Sequence, residues 1–399
     1  MLITAGRILT ASGTYLEDGA VLVEGDTITA VGPRAQLADP AGRDQTHLAF
    51  PDATVMPGLI DAHVHLVFDG GSDPVASLRA SDDEQLLADM RRRADQLVSS
   101  GVTTVRDLGD RDHLALRLGA DIGQGGAPGP RIVSAGIPLT SPGGHCHFLG
   151  GEVSGEAQVR DLVRRNLAQG AGVIKVMASG GGLTKDGPKS WQSQFSADEL
   201  RALVDEAHQA GVPVAAHAHG ADGIAAVVDA GVDTIEHCTW MTEDGFGLRQ
   251  DVLKKIIDQG IAVCPATSPH WQMVPRFFGE ERAKVLFGQV REMAEAGVRL
   301  IAGTDAGVQR TGFDGSLAGA LTFYAHLGIP NERIIDMATV HAADALGLGG
   351  STGRIASGFR ADLLVLGGDP LADLDALKEV RAVIAAGRVF EPGSRTGQP

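Results

Sequence analysis

Two periods of hydrophobic and polar residues divide the chain. Up to about residue 56 the runs L-I-T-A-G-R-I-L-T, A-V-L-V-E-G-D-T-I-T-A-V-G and A-T-V-M-P-G read as short strands, rich in β-branched residues and bounded by turn formers. The E-G-D between two β-rich runs is a hairpin signal. From Pro57 to about Gly350, short apolar runs alternate with stretches whose apolar residues recur at helical spacing. That alternation predicts a parallel sheet with crossover helices. S-D-D-E at Ser81–Glu84 is a capping box before Leu86, Leu87, Met90, Ala94, Leu97 and Val98, and Gly101 ends that helix; S-A-D-E at Ser196–Glu199 repeats the device before Leu200, Leu203, Val204 and Ala207.

The candidate strands of this middle stretch are G-L-I-D-A-H-V-H, V-T-T-V-R-D-L, R-I-V-S-A-G, V-I-K-V-M-A-S, P-V-A-A-H-A-H, T-I-E-H-C, I-A-V-C-P-A and L-I-A-G-T-D, eight in all. Eight is the count of a closed βα barrel. From about residue 351 β character returns in A-D-L-L-V-L-G-G-D-P-L and V-R-A-V-I-A-A-G-R-V-F. The expected architecture is α/β: a (β/α)8 TIM-like barrel over 57–350, with a small β-sandwich domain assembled from the discontinuous segments 1–56 and 351–399.

Composition narrows the class. With 399 residues, 43% hydrophobic and 21% charged, the chain is globular and long enough for one large domain and a smaller one. A net charge of −16 argues against nucleic acid or an anionic membrane as partner and leaves a small-molecule substrate. No apolar run approaches a membrane span and no signal-peptide pattern opens the chain. Three cysteines, Cys146, Cys238 and Cys264, do not make a disulfide framework and suit a reducing cytoplasm.

The chemistry gathers at the ends of the apolar runs, where a barrel places its active site. His63 and His65 share one face of a strand; His217 ends the fifth strand, His237 the sixth, and Asp305 follows the eighth. Lys175 lies inside the fourth strand, where an unpaired ammonium is costly to bury. It either pairs with a buried carboxylate or is neutralised and converted by CO2 to a carbamate, an anionic oxygen ligand able to bridge two metals. Four imidazoles, one carboxylate and a carbamate suit Zn2+ best, with Mn2+, Co2+ or Fe2+ as substitutes. Such a set activates water for hydrolysis, with Asp305 as ligand and proton acceptor.

P-G-L-I-D-A-H-V-H, A-G-T-D-A-G and the closing G-R-I-A-S-G-F-R-A-D-L-L-V-L-G-G-D-P-L resemble the amidohydrolase superfamily over nearly the whole chain. G-V-T-T-V-R-D-L-G, V-I-K-V-M-A-S-G-G and T-I-E-H-C-T are similar to its imidazolonepropionase-related branch, which includes Xaa-Pro dipeptidases, other metal-dependent carboxypeptidases and N-acyl amino acid hydrolases. The resemblance implies that His63, His65 and Asp305 bind one metal, His217 and His237 a second, and carbamylated Lys175 bridges them. It also implies that His145, in G-G-H, contacts substrate or oxyanion. Dipeptidase-like members read H-G-T-Y after the sixth-strand histidine. This chain reads His237-Cys238-Thr239-Trp240, so Trp240 would offer an indole N–H and an apolar face to a bulkier or less polar substrate.

Other residues admit plainer readings. The metal set makes Cys146 unnecessary as a nucleophile, His147 reads as surface or supporting, and His219 as a supporting neighbour rather than a ligand. The loop S-P-H-W-Q-M-V-P-R-F-F-G, with His270 and Trp271, could wall the substrate pocket or pack on its own small core; Arg276 reads as solvated. The expected activity is hydrolysis of a C–N amide bond in a dipeptide or N-acyl amino acid-like molecule. The alternatives are a cyclic amide or imidazolone hydrolase or deaminase using one metal, and a metal-free barrel serving as a binding module. Related barrels often assemble, so a homo-oligomer is expected.

Overall fold

The N-terminal strands form a meander that the C-terminus completes. The computed structural model describes residues 1–11, 13–37 and 46–391; the parts of the expected outer segments at 12, 38–45 and 392–399 lie outside the described residues. Strands β1 (Leu2–Ala11), β2 (Thr14–Glu24) and β3 (Thr27–Pro33) pair antiparallel, and β4 (His47–Pro57) runs parallel to β1 with Ile8 opposite Val55. Gly25 takes φ 61 in the E-G-D turn, a conformation that costs glycine little.

The middle stretch supplies β5 (Leu59–Val64), β6 (Val102–Asp107), β7 (Arg131–Ser134), β8 (Ile174–Met177), β9 (Val214–Gly220), β10 (Thr234–Met241), β11 (Ala262–Cys264) and β12 (Arg299–Leu300). All pair in parallel, as a three-stranded sheet β5-β6-β7 and a five-stranded sheet β8 to β12. Hydrogen bonds cross both junctions. Leu139 N donates to Lys175 O and Met177 N to Leu139 O, each at 2.8 Å; Ala62 N donates to Ala302 O at 2.9 Å and Asp305 N to His63 O at 2.8 Å. Strand β12 is shorter than L-I-A-G-T-D predicts, but the residues beyond Leu300 still pair with β5 through these bonds.

Strands β13 (Leu363–Leu366), β14 (Val380–Ala385) and β15 (Arg388–Phe390) then join β4, with Val365 antiparallel to Val55. The sequence pattern predicts a sandwich here. The described strands hydrogen-bond as one seven-stranded sheet in the order β15-β14-β13-β4-β1-β2-β3. Its two faces serve different cores, because neighbouring residues of a strand point opposite ways. Val55, Leu363, Val365 and Ile384 join Ile3, Ile8 and Val21 in one cluster. Met56, Leu364, Leu366 and Val383 join Leu97 and Val98 in the larger core around the parallel strands.

The capping box at Ser196–Glu199 starts the helix Ala197–Gln209, with both reciprocal hydrogen bonds in place. The box near residue 82 sits one residue later than the sequence suggests. Asp82 caps the helix Asp83–Ser99 and Gln85 returns the bond, because Ser81 terminates the short helix Pro74–Ala80. Among the described residues no helix is long and apolar enough to cross a membrane.

Candidate active site

Six histidines, Lys175 and Asp305 line one cavity of about 240 Å3 at the C-terminal ends of the parallel strands. His63 and His65 leave β5 on one face, with ring centroids 5.3 Å apart. Asp305 follows β12 with φ 59, and its Oδ1 lies 3.3 Å from His63 Nε2 and 3.5 Å from His65 Nε2. The partners on the far side of each ring fix the protons. His65 Nδ1 donates to the carbonyl of Gly109 at 3.0 Å, and His63 Nδ1 to the Glu236 carboxylate at 2.9 Å. Both Nε2 lone pairs therefore point at Asp305 Oδ1, which has no hydrogen-bond donor. Three electron-rich atoms converge with no N–H among them.

Glu236 is fully buried and doubly committed. Its Oε2 accepts from His63, while its Oε1 accepts from Arg106 Nη2 at 2.7 Å and from Thr234 Oγ1 at 2.7 Å. Arg106, 1% exposed on β6, also donates to Ala62 O and Thr234 Oγ1. An extended strand would send Glu236 and His237 to opposite faces, yet both reach His63, whose ring centroid is 5.2 Å from that of His237. The cause is local: His237 takes φ 68 and Cys238 φ 51, and the β9–β10 register shifts after His237. Left-handed backbone at non-glycine residues is costly and re-aims side chains.

On the other side, His217 and His219 project from β9. His217 Nε2 donates to Gly180 O at 3.1 Å, which leaves its Nδ1 lone pair free. His219 Nδ1 donates to Thr239 Oγ1 at 2.9 Å, and the threonine hydroxyl passes its own proton to His219 O. The ring nitrogens of His217, His219 and His237 fall within 4.8 Å of one another, as do the donor atoms of His63, His237 and Asp305. The sequence reading makes His219 a supporting neighbour of the ligands, and its ring stacks on His237 at a centroid distance of 4.5 Å.

Lys175, 1% exposed on β8, has no hydrogen-bond partner at Nζ. Burial pushes its pKa down to about 8, against the pull of Glu236. Burial likewise pushes Asp305 up to about 7. It holds His63, His217 and His237 well below the usual imidazole range and lowers His65 and His219 to about 4, with Lys175 adding repulsion. The imidazoles are thus neutral and able to act as donors to a cation. Neutral nitrogens and an unpartnered carboxylate oxygen are donors that a divalent metal satisfies, so these residues fit one or two such ions.

His145 sits over the cavity, its ring centroid 4.7 Å from that of His217. Its backbone N–H donates to Gln194 Oε1 at 2.8 Å, and the Gln194 amide in turn donates to Met177 O and to Ser179 O. Cys146 Sγ is 3.5 Å from His145 Nε2, but burial raises that thiol to about 12 and keeps it a thiol.

Three sequence-nominated residues are not brought to this cavity. Trp240 is fully buried with φ 54, its indole N–H unpartnered, and does not line it. Trp271 packs on Phe287, Phe323 and His326 and donates its indole N–H to Thr322. That is the small-core alternative for this loop. His270 lines a separate cavity with Arg93 and Phe313. His147 is half-buried on a neighbouring cavity.

This geometry can be compared with known proteins. The Amidohydrolase family profile matches residues 54–390, and an imidazolonepropionase-like composite domain of bacteria matches residues 19–39. The chain belongs to the amidohydrolase family. It is 28% identical to an ochratoxinase of Aspergillus niger over 98% of this chain and 87% of that one. An imidazolonepropionase of Paracoccus denitrificans is 27% identical over 89% of each. Among solved structures, a Xaa-Pro dipeptidase with bound methionine in its active site superimposes with a TM-score of 0.85 at 29% identity, covering 98% of this chain and 99% of that one.

Proposed function

We propose that this chain is a metal-dependent hydrolase of C–N amide bonds in small molecules of the dipeptide or N-acyl amino acid kind. The observation that carries the reading is the convergence of His63 Nε2, His65 Nε2 and Asp305 Oδ1 with no N–H between them. His63, His65 and Asp305 would hold one metal and His217 and His237 a second. Lys175, with CO2 added at Nζ and a proton released, would present a carbamate oxygen to both. Zinc suits this nitrogen-rich set first, with Mn2+, Co2+ or Fe2+ as substitutes. When bound, a divalent ion brings the pKa of a coordinated water toward neutrality and polarises a carbonyl.

The chain's own groups supply the rest. Asp305 takes a proton from the attacking water at a carboxylate oxygen and delivers it to the leaving nitrogen. His145, kept neutral by burial that lowers it to about 3, presents a ring N–H to the oxygen on which charge develops. Glu236 and Arg106 fix the tautomer and direction of His63.

The proposed framework for this chemistry is a closed barrel of β5 to β12 over 57–350, with 1–56 and 351–399 as the second domain. The proposed setting is the cytoplasm, as a homo-oligomer. The homologues named ochratoxinase and Xaa-Pro dipeptidase support amide hydrolysis, and Lys175 favours it over a one-metal imidazolone hydrolase or deaminase.

The test is metal analysis together with a hydrolysis screen of dipeptides, N-acyl amino acids and cyclic amides read by mass spectrometry. Lys175→Ala should lose most activity and part of the metal, and short carboxylates should restore some of each. Full metal and full activity in Lys175→Ala would overturn the bridging role; no amide cleaved by metal-loaded protein would overturn the reading itself.

A further inference from the structure

The histidine cavity continues outward. A second cavity, of about 410 Å3, shares Gly182, Leu183 and Gln309 with it, so the two form compartments of one cleft. The chemistry of the outer compartment differs from that of the inner one. Arg79 and Lys185 line it. Arg79 lies in the helix Pro74–Ala80, which follows β5 and the His63–His65 pair at its end; Lys185 lies in the loop that follows β8 and Lys175. The two cations are therefore delivered by the same βα connections that deliver the inner site.

Neither Arg79 nor Lys185 forms an ion pair or side-chain hydrogen bond among the described residues. The Arg79 guanidinium carbon stands 5.7 Å from the centroid of the Phe148 ring. Elsewhere Arg111 is matched by Asp83, Arg164 by Glu206 and Lys255 by Asp229; Arg79 and Lys185 have no such counter-charge among the described residues. Of the carboxylates on the same wall, Asp73 is engaged as helix cap to Ala76 N at 3.1 Å, and Asp186 adjoins Lys185. A guanidinium over an aromatic face keeps its N–H edge free, and that edge matches a planar carboxylate.

We propose that the outer compartment is an anion subsite, in which Arg79 over Phe148, together with Lys185, holds a carboxylate on the half of the substrate remote from the scissile amide. This rests on the amide-hydrolase reading of the inner site. It narrows the substrate class to amides with a carboxylate several bonds away from the cleaved bond, such as the monoamide of a dicarboxylic acid or the conjugate of an acidic amino acid.

The test uses matched amides that differ only in a terminal carboxylate or carboxamide, placed on the acyl half in one series and on the amine half in the other. With the metal-loaded parent protein, KM for the carboxylate members of one series should be lower by about tenfold or more, as charge-assisted hydrogen bonds imply, and the preference should shrink with added salt. In the double variant Arg79→Gln/Lys185→Gln the ratio of the two KM values should collapse toward one. A parent ratio near one in both series, or a ratio that survives in the double variant, would overturn the subsite. If no compound is cleaved, the amide-hydrolase reading fails by itself. The same compounds titrated calorimetrically against the same proteins then decide the subsite through the ratio of dissociation constants.

Discussion

Arg106→Met isolates what the buried charges beneath the histidines do. Arg106 and Glu236 are 1% and 0% exposed, and the guanidinium makes three hydrogen bonds, to Ala62 O at 2.7 Å, Thr234 Oγ1 at 2.9 Å and Glu236 Oε1 at 2.7 Å. Methionine fills much of the same length without charge or donors. It leaves the Glu236 carboxylate buried with only Thr234 and His63 as partners, and an uncompensated buried charge of this kind costs about 3–5 kcal/mol. Against a total stability of about 5–15 kcal/mol that is a large fraction. Changing Glu236 to Gln in the same chain removes the orphaned charge while keeping an amide oxygen and an amide N–H in place. The double variant should therefore recover about 1–3 kcal/mol of the loss. The assay is urea unfolding of the parent, both single variants and the double variant, followed by tryptophan fluorescence, with metal content measured in parallel. An Arg106→Met protein within about 1 kcal/mol of the parent, or a double variant no more stable than Arg106→Met, would refute the claim that the guanidinium is there to neutralise Glu236.

Further outcomes follow from the same geometry. A Cβ at Gly181 would lie 2.5 Å from the His145 ring, so Gly181→Ala should displace His145 and lower kcat by about a hundredfold while the far-ultraviolet spectrum is unchanged; an unaltered kcat would remove His145 from the reaction. His217→Asn should strip the second metal, whereas His219→Asn should weaken metal binding by only about 10–100-fold, and equal losses on metal titration would make His219 a ligand in its own right. Asp107 is buried where it accepts Leu66 N and Gly109 N, and burial raises its pKa to about 7. The native state therefore holds a proton that the unfolded chain has released, and stability should fall as pH rises from the ordinary carboxylate value of about 4 through about 7. Burial raises Asp61, Asp110 and Asp305 in the same direction, so Asp107→Asn should lessen that slope in unfolding titrations without abolishing it, and an unchanged slope would assign it to those groups.

The residues of the site differ in how plainly the amino-acid sequence marks them, for physical reasons. His63, His65, Lys175, His217, His237 and Asp305 are legible because each interrupts or ends a short apolar run. Residues of that kind at strand ends have few structural excuses. Arg106 and Glu236 interrupt equally visible runs, but their pairing is not legible there, since the bond between them spans 130 positions and only the folded sheet closes it. The left-handed turn at His237 is invisible for a related reason: nothing in T-I-E-H-C-T marks the bulge that turns both Glu236 and His237 toward His63. Loop residues fare worst. His270 and Trp271 follow a strand that feeds the site, but the direction a loop side chain takes is set by neighbours distant in sequence, such as Thr322 and His326 for Trp271; Trp240, inside β10, is turned away by its left-handed backbone. The capping box near residue 82 is readable as a device but displaced by one residue, because Ser81 already serves the helix before it.

The seam between β4 and β13 sets a timetable for synthesis. Val55 must wait for Val365, and at ~5–20 residues per second the ribosome delivers that partner roughly fifteen seconds to a minute later. Throughout that interval β4 can pair with β1 yet keeps its other edge open, a row of unmet N–H and C=O groups flanked by Thr54, Val55 and Met56. The nascent chain therefore carries a sticky border for most of its elongation. Any truncation ahead of Leu363 would make that border permanent, so fragments that retain every metal-binding candidate should still aggregate.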